Sequence, residues 1–426
     1  MVNADDPDSK VTLSPTALTG RIDHLDVLRG LAIFGILLVN MMYYAHPIIY
    51  YQIIGELPWD SLLDRVTGYA IFFLAEGKFI TMLAMLFGIG MVIQMDRAET
   101  KGTRFFPLYF RRMTILLLFG AVHAFLIWMS DILLAYALMG FAILFLFRKC
   151  KPKTLIIWAI IFLLIPVSLG VLMYGLALLA GTDPAIAQEM EQDAEQFIEF
   201  FRGLADRSAE IYSTGSFAEI MKIRTIDVGL MFAFGIFWMP LAFALMLFGV
   251  AVGKTGIPQK IEEHKTLLIK VIRWGFVLGI IGSTAALIGY INADQVESDY
   301  WGIIMYFGVA VGAPALSLFY AAGTIQLYRS GKLQKFFTRL SAVGKMALSN
   351  YILQSIIATT IFYSYGFGLY GSIGPAVGIL ITLAIFTLQL FISPLWLKYF
   401  HYGLLEWLWR TCTYMKIQPF RKTNHA

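Results

Sequence analysis

The chain has 426 residues, of which 58% are hydrophobic, 15% aromatic and only 14% charged, and its mean hydropathy is +0.71. A soluble domain carries about a quarter charged and under half apolar residues, so this chain lacks the polar side chains to cover a water-facing surface and is excluded from that class. Its formal charge of +5 resides in short basic blocks between apolar runs, a distribution that fits membrane topology and argues against a nucleic-acid partner.

In chain order, residues 1–20 are polar and the first apolar run, 27–45, is too long for the core of a signal peptide and lacks a small-residue cleavage site after it. It reads as a span that stays. Further apolar stretches follow near 79–95, 113–129, 132–147, 154–180, 228–253, 271–291, 301–325, 346–365 and 373–397, and helices of this kind cross a hydrocarbon core about 30 Å thick. Ten crossings return the chain to the side on which it began. The connectors at 97–112, 148–153 (RKCKPK), 254–273 and 329–345 are basic, whereas the alternate ones are poor in Lys and Arg or acidic, as in NADQVESD at 292–299. Basic loops face the cytoplasm, so both termini are expected there.

Residues 60–75 are amphipathic, and a crossing there would upset this alternation. They are expected to form a helix in the outer interface, ending at a break at Glu76-Gly77-Lys78. The segment 181–226 is expected to be an outer helix starting at Asp183-Pro184, with Ile198, Phe201, Leu204 and Ile211 at helical spacing; it reads as a solvated linker or as a lid over an outward-facing site. Trp407, Trp409 and Tyr414 beside Arg410 form an interfacial anchor. Cys150 and Cys412 lie in basic segments without partners at ligand spacing and read as free thiols. No repeat of the transporter kind is visible.

The expected fold is therefore all-α, a polytopic transmembrane helical bundle of about ten spans plus interfacial helices. It divides into a cytoplasmic N-terminal segment (1–26), an N-terminal transmembrane half with the candidate site (27–180), an outer amphipathic loop (181–226), a C-terminal transmembrane half (227–400) and a cytoplasmic interfacial tail (401–426).

Polar groups in spans are costly, so each invites a functional reading. Asp26 and Arg29 share a helix face at i, i+3 and can pair, and the Arg fork suits a phosphate or carboxylate. Asn40 lies about 16 Å further along the same helix. His46 precedes Pro47, which disfavours helix, so His46 is expected at a helix end exposed to a cavity or to the outer interface, where imidazole serves as general base or transient acyl acceptor. Glu76, Lys78, His123 and Asp131 all fall toward the outer leaflet in this topology, and the strongest expectation is that they meet His46 in one wet pocket. A carboxylate beside an imidazole would fix its tautomer; an alternative is plain structural pairing, such as Glu76 with Lys78. Asp227 begins the sixth span, and Asn350 and Gln354, flanking Tyr351, read as interhelical hydrogen bonders. His and carboxylate spacing offers no zinc site, so no metal is expected. Gly88-x-Gly90 reads as helix packing rather than a phosphate loop.

LDVLRGLAIFGILLVN at 25–40, EGKFITMLAMLFGIGM at 76–91, LLLFGAVHAFLIWMSDILLAYALMG at 116–140 and the blocks through 344–410 resemble the YeiB-type bacterial membrane proteins over most of the chain. More distantly, LDVLRG…VN resembles transmembrane acyltransferases of the heparan-α-glucosaminide N-acetyltransferase type. The YeiB-type likeness implies a multi-pass protein of the bacterial inner membrane, in contact with membrane lipids. The acyltransferase likeness implies acyl-coenzyme A as the cytoplasmic donor and a glycan or lipid acceptor on the far side. Arg29 and the 97–112 loop would attract the donor phosphates, Asp26, Asn40 and Lys78 would line the donor path, and His46 or His123 would be the base, oriented by Glu76 or Asp131. Alternatives are a transporter or exporter of a small solute and a non-catalytic scaffold.

Overall fold

The computed structural model describes residues 23–294 and 299–422; the polar start of the chain and residues 295–298 of the acidic connector lie outside the described residues. The described residues are helical almost throughout, and the helices are numbered here in chain order. The first, α1 (Asp23–Ala45), has Asp23 and Asp26 in its first turn, where carboxylates complement the helix dipole. It stops before His46-Pro47. A short α2 (Ile48–Ile54) closes on Gly55 in the left-handed conformation. Next, α3 (Leu62–Leu74) is capped by the Ser61 hydroxyl, which accepts from Asp64 N. The expected break follows, with Gly77 at φ 77°, and α4 (Lys78–Thr100) begins.

Then come α5 (Phe105–Val122), extended by a π-helical turn His123–Ile127, and α6 (Ile132–Ala142), extended by another, Ile143–Phe147. Two long helices follow, α7 (Pro152–Ala180) and α8 (Pro184–Thr214), the latter capped by Asp183 as expected. A capping box of Ser216 and Glu219 starts α9 (Phe217–Ala233), and α10 is Gly235–Gly253. The remainder is α11 (Lys265–Asn292), α12 (Tyr300–Arg329), α13 (Gln334–Lys345), α14 (Ala347–Phe362), α15 (Pro375–Tyr399) and α16 (Leu404–Tyr414).

Among the described residues, eight helical segments are long and apolar enough to cross a membrane, and two shorter apolar ones, Ile132–Phe147 and Ala347–Phe362, bring the total to ten. They coincide with the ten apolar stretches of the sequence. One boundary differs. The stretch 228–253 is interrupted at Phe234, next to Gly235, whose helix propensity is low. The crossing segment is α10 alone, and α9, with Glu219, Lys222, Arg224 and Asp227, precedes it.

The start of α1, α13, α16 and the loop after α10 gather on one face. Lys345 pairs with Asp23 at 3.3 Å, His24 Nε2 lies 3.0 Å from Pro258 O, and Arg112 sits 3.7 Å over the Trp409 ring. The opposite face is built from α2, α8 and residues 363–374, joined by Gly371 N–H to Ala45 O (2.7 Å) and Ser364 N–H to Tyr212 O (2.8 Å). Between the faces, helix backbones touch where side chains vanish. A Cβ at Gly88 would strike the α10 backbone at Met246, and one at Gly249 would strike Met85 of α4. Gly88 is thus a packing residue, in keeping with the role of small residues where membrane helices cross.

Candidate functional site

Two consecutive tyrosines of α1 organise the half of the bundle nearest the opposite face. Successive residues on a helix diverge by about 100°, so Tyr43 and Tyr44 reach into different networks.

The Tyr44 hydroxyl lies 2.7 Å from Ser355 Oγ, which lies 2.8 Å from His123 Nε2, and His123 Nδ1 is 2.7 Å from Asp131 Oδ1. Hydrogen-bond logic assigns the directions. The ionised carboxylate accepts from Nδ1–H, Nε2 then accepts from Ser355, and Ser355 accepts from Tyr44. Asp131 is fixed by its second oxygen, which caps α6 by accepting from Leu134 N at 2.5 Å. His123 begins the π-helical turn, a feature frequent at functional sites. The Tyr351 ring lies 5.0 Å from the imidazole, and Trp128 packs 4.0 Å from the Tyr44 ring. All four polar groups are buried. A carboxylate on Nδ1 and a hydroxyl on Nε2 is the arrangement that poises an imidazole for proton transfer from a hydroxyl.

The Tyr43 hydroxyl lies 3.1 Å from Gln52 Oε1 and 3.4 Å from Glu76 Oε1. Glu76 forms the floor of a narrow throat whose walls include Tyr69, Phe72 and Tyr290. The throat opens into a polar vestibule of about 360 Å³ between the end of α2, α3 and the end of α11. Lys78 does not pair with Glu76: its ammonium donates to Phe72 O at 2.9 Å, tying α4 to α3 across the Gly77 turn.

His46 occupies a third environment. It is not at the outer interface but buried beside a small cavity, with Nε2 2.9 Å from Ile373 O, because residues 363–374 fold over the end of α1. Trp59 stands 5.9 Å away edge-on and separates it from the Glu76 throat. The single wet pocket expected from the sequence is therefore replaced by three sites on one face, two of them buried. Only His123 and Asp131 meet directly.

Asp26 and Arg29 do pair, at 2.5 Å. Arg29 belongs to a group of guanidinium neighbours that includes Arg112 and Arg410, and Arg410 stacks over Tyr402 at 4.7 Å. Guanidinium groups of this kind are suited to phosphate. Asn40, eleven residues from Arg29, returns to within about 20° of the same helix face and is half-buried. Asn350 and Gln354 make the expected interhelical bonds, Asn350 to Ser393 at 3.1 Å and Gln354 to Gln389 at 2.8 Å.

A further buried cluster surrounds Asp227, which accepts from Tyr50 (2.5 Å) and Tyr212 (2.6 Å) and so docks α8 and α2 onto α9. Its carboxyl is pushed up to about 6 because burial outweighs those hydrogen bonds and the nearby Arg224. Arg224 is fully buried, 5.6 Å over the Tyr363 ring. Sequence reasoning noted Asp227 but passed over Ser355, Tyr43, Tyr44, Gln52 and Arg65. Serine and tyrosine are too common in apolar helices to stand out, whereas the eight-residue spacing of His123 and Asp131 was visible.

Residues 252–416 match a family described as a protein of unknown function (DUF418). The chain is 39% identical over 96% of its length to the uncharacterised protein YxaH of Bacillus subtilis (strain 168), covering 98% of that protein. It is 28% identical over 93% of its length to the uncharacterised protein YeiB of Escherichia coli (strain K12), covering 97% of it. A third relative, an uncharacterised 39.9 kDa protein encoded in the amylase 3′ region of Bacillus acidopullulyticus, is 27% identical over 97% of the chain and 100% of its own length. No solved structure matches.

Proposed function

We propose that this chain, which belongs to the YeiB-like family, is a membrane acyltransferase moving a small acyl group from acyl-coenzyme A to a glycan or lipid acceptor. The observation that carries this reading is the relay Asp131–His123–Ser355, with contacts of 2.7 and 2.8 Å. Asp131 holds the imidazole in the tautomer whose Nε2 is free to take a proton. An acceptor hydroxyl replacing Ser355 on Nε2 would give up its proton to His123 as its oxygen attacks the thioester carbonyl. The carbon–sulfur bond then breaks, and the departing thiolate takes that proton from His123.

The donor end follows from charge. Arg29, Arg112 and Arg410 gather on the face that the basic loops assign to the cytoplasm, and guanidinium forks hold phosphates well. From Arg29 the face of α1 that bears Asn40 leads toward Tyr44, about 22 Å away, giving the acyl arm a course along one helix. The multi-pass placement in a bacterial inner membrane with cytoplasmic termini belongs to the same reading.

The direct test measures free thiol released from acetyl-coenzyme A by membranes containing the protein. His123→Ala and Asp131→Asn are expected to lower the rate by at least about 100-fold. Full activity in His123→Ala, or no acyl-dependent release by the unaltered chain, overturns the reading. The throat ending at Glu76 favours one alternative, a transporter in which this carboxyl carries a proton; it predicts solute flux driven by a proton gradient without coenzyme A release.

A further inference from the structure

We infer that the vestibule between α2, α3 and the end of α11 is a binding site for a neutral sugar of pyranose size. Its volume of about 360 Å³ lies within the range of about 300–1,000 Å³ usual for small-molecule clefts. Trp59, Tyr69 and Tyr290 supply aromatic surfaces, and Gln52, Asp60 and Arg65 supply planar hydrogen-bonding groups. A pyranose has both an apolar face of C–H bonds and a rim of hydroxyls, and it satisfies the two kinds of wall at once.

Charge decides against other ligands. Asp60 and Arg65 are the charged side chains of the vestibule wall, one of each sign. An aromatic enclosure also suits a quaternary ammonium, but Arg65 opposes a cation, while Asp60 and the Glu76 carboxyl beneath oppose an anion. At the throat Glu56 is already tied to Arg202 of α8, which leaves Asp60 and Arg65 to balance each other in the vestibule wall.

The throat adds a second criterion. It has room for about 20 Å³, roughly one water, so a single hydroxyl can enter and a ring cannot. A hydroxyl placed there faces Glu76 and Gln52. Trp59, which lines both the throat and the vestibule, has a buried Nε1 without a hydrogen-bond partner, a donor that an acceptor oxygen would satisfy. The inference rests on the acyltransferase reading for the use made of the sugar, not for its binding.

The experiment is titration calorimetry on the full chain in nanodiscs, free of sugar-headed detergent. The probes are the methyl glycosides of glucose and galactose, N-acetylglucosamine, choline and inorganic phosphate. At least one sugar is expected to bind, and choline and phosphate are not. Tyr69→Ala and Glu76→Gln are each expected to weaken sugar binding at least 10-fold with the melting temperature preserved, and Gln52→Ala serves as a second wall variant should either fail to fold. Binding of choline or phosphate in place of sugar, binding of none of the sugars, or binding indifferent to the wall substitutions overturns the inference. Sugar binding without thiol release would leave this site standing and remove the acyltransferase, whereas thiol release without sugar binding would do the reverse.

Discussion

Two tyrosine hydroxyls and a neighbouring guanidinium favour the charged form of Asp227, yet burial holds its carboxyl at about 6 against an ordinary 3.8. Between these values the folded chain keeps a proton that the unfolded chain has released, so stability falls as pH rises from about 4 to about 6. The full effect is at most about 3 kcal/mol. Melting in detergent across this window should show the decline, and Asp227→Asn, which cannot titrate, should flatten it. Ser355→Ala tests the other buried network. It strands His123 Nε2 and the Tyr44 hydroxyl, which share Ser355 Oγ at 2.8 and 2.7 Å, and should cost about 1–3 kcal/mol in the same melting measurement. At this scale the sequence was only partly legible. Ionisable residues in apolar runs announce themselves through their cost, so His123, Asp131, Glu76 and Asp227 were all visible. Their partners include hydroxyl groups up to 232 positions away along the chain, and no local pattern names them.

The Gly88-x-Gly90 pair separates two roles that one motif suggests equally. A Cβ at Gly88 meets the backbone of α10, whereas at Gly90 the nearest atom is Arg29 Nη2 at 3.9 Å. Gly88→Ala should therefore destabilise by about 1–3 kcal/mol through overpacking. Gly90→Ala should be neutral or stabilising by up to about 1 kcal/mol, since alanine is the better helix former. Thermal melting of the two single variants checks the contrast. Helix punctuation was legible where chemistry is local: Asp183-Pro184 starts α8, the glycine at position 77 breaks α3 from α4, and His46-Pro47 ends α1. The interruption at Phe234 and the π-helical turns were not, because an apolar run looks the same whether its hydrogen bonds span four residues or five. Nor was the covering of His46 by residues 363–374, a contact made entirely by tertiary structure.

For the molecule as a whole, the count of apolar segments sufficed to anticipate the eight long apolar helical segments and the two shorter ones found among the described residues. Sidedness can be read with the native thiols. Cys412 is exposed and Cys150 half-buried, and their segments, residues 410–422 and the α6–α7 connector, are basic. A membrane-impermeant maleimide should modify Cys412 in inverted vesicles and spare it in intact spheroplasts. Glu195→Cys, at an exposed position of α8, should show the opposite pattern once the native thiols are replaced. Labelling of both from one side would overturn the assignment of faces.

The adjacency of Tyr43 and Tyr44 has a thermodynamic consequence. One rigid rod carries both hydroxyls, so an occupant that tugs on the first through Gln52 or Glu76 also displaces the second against Ser355. Whatever free energy such an occupant contributes to the imidazole side must be returned in equal measure when the imidazole side is filled first. Communication between the two compartments then needs no wire beyond a single turn of α1.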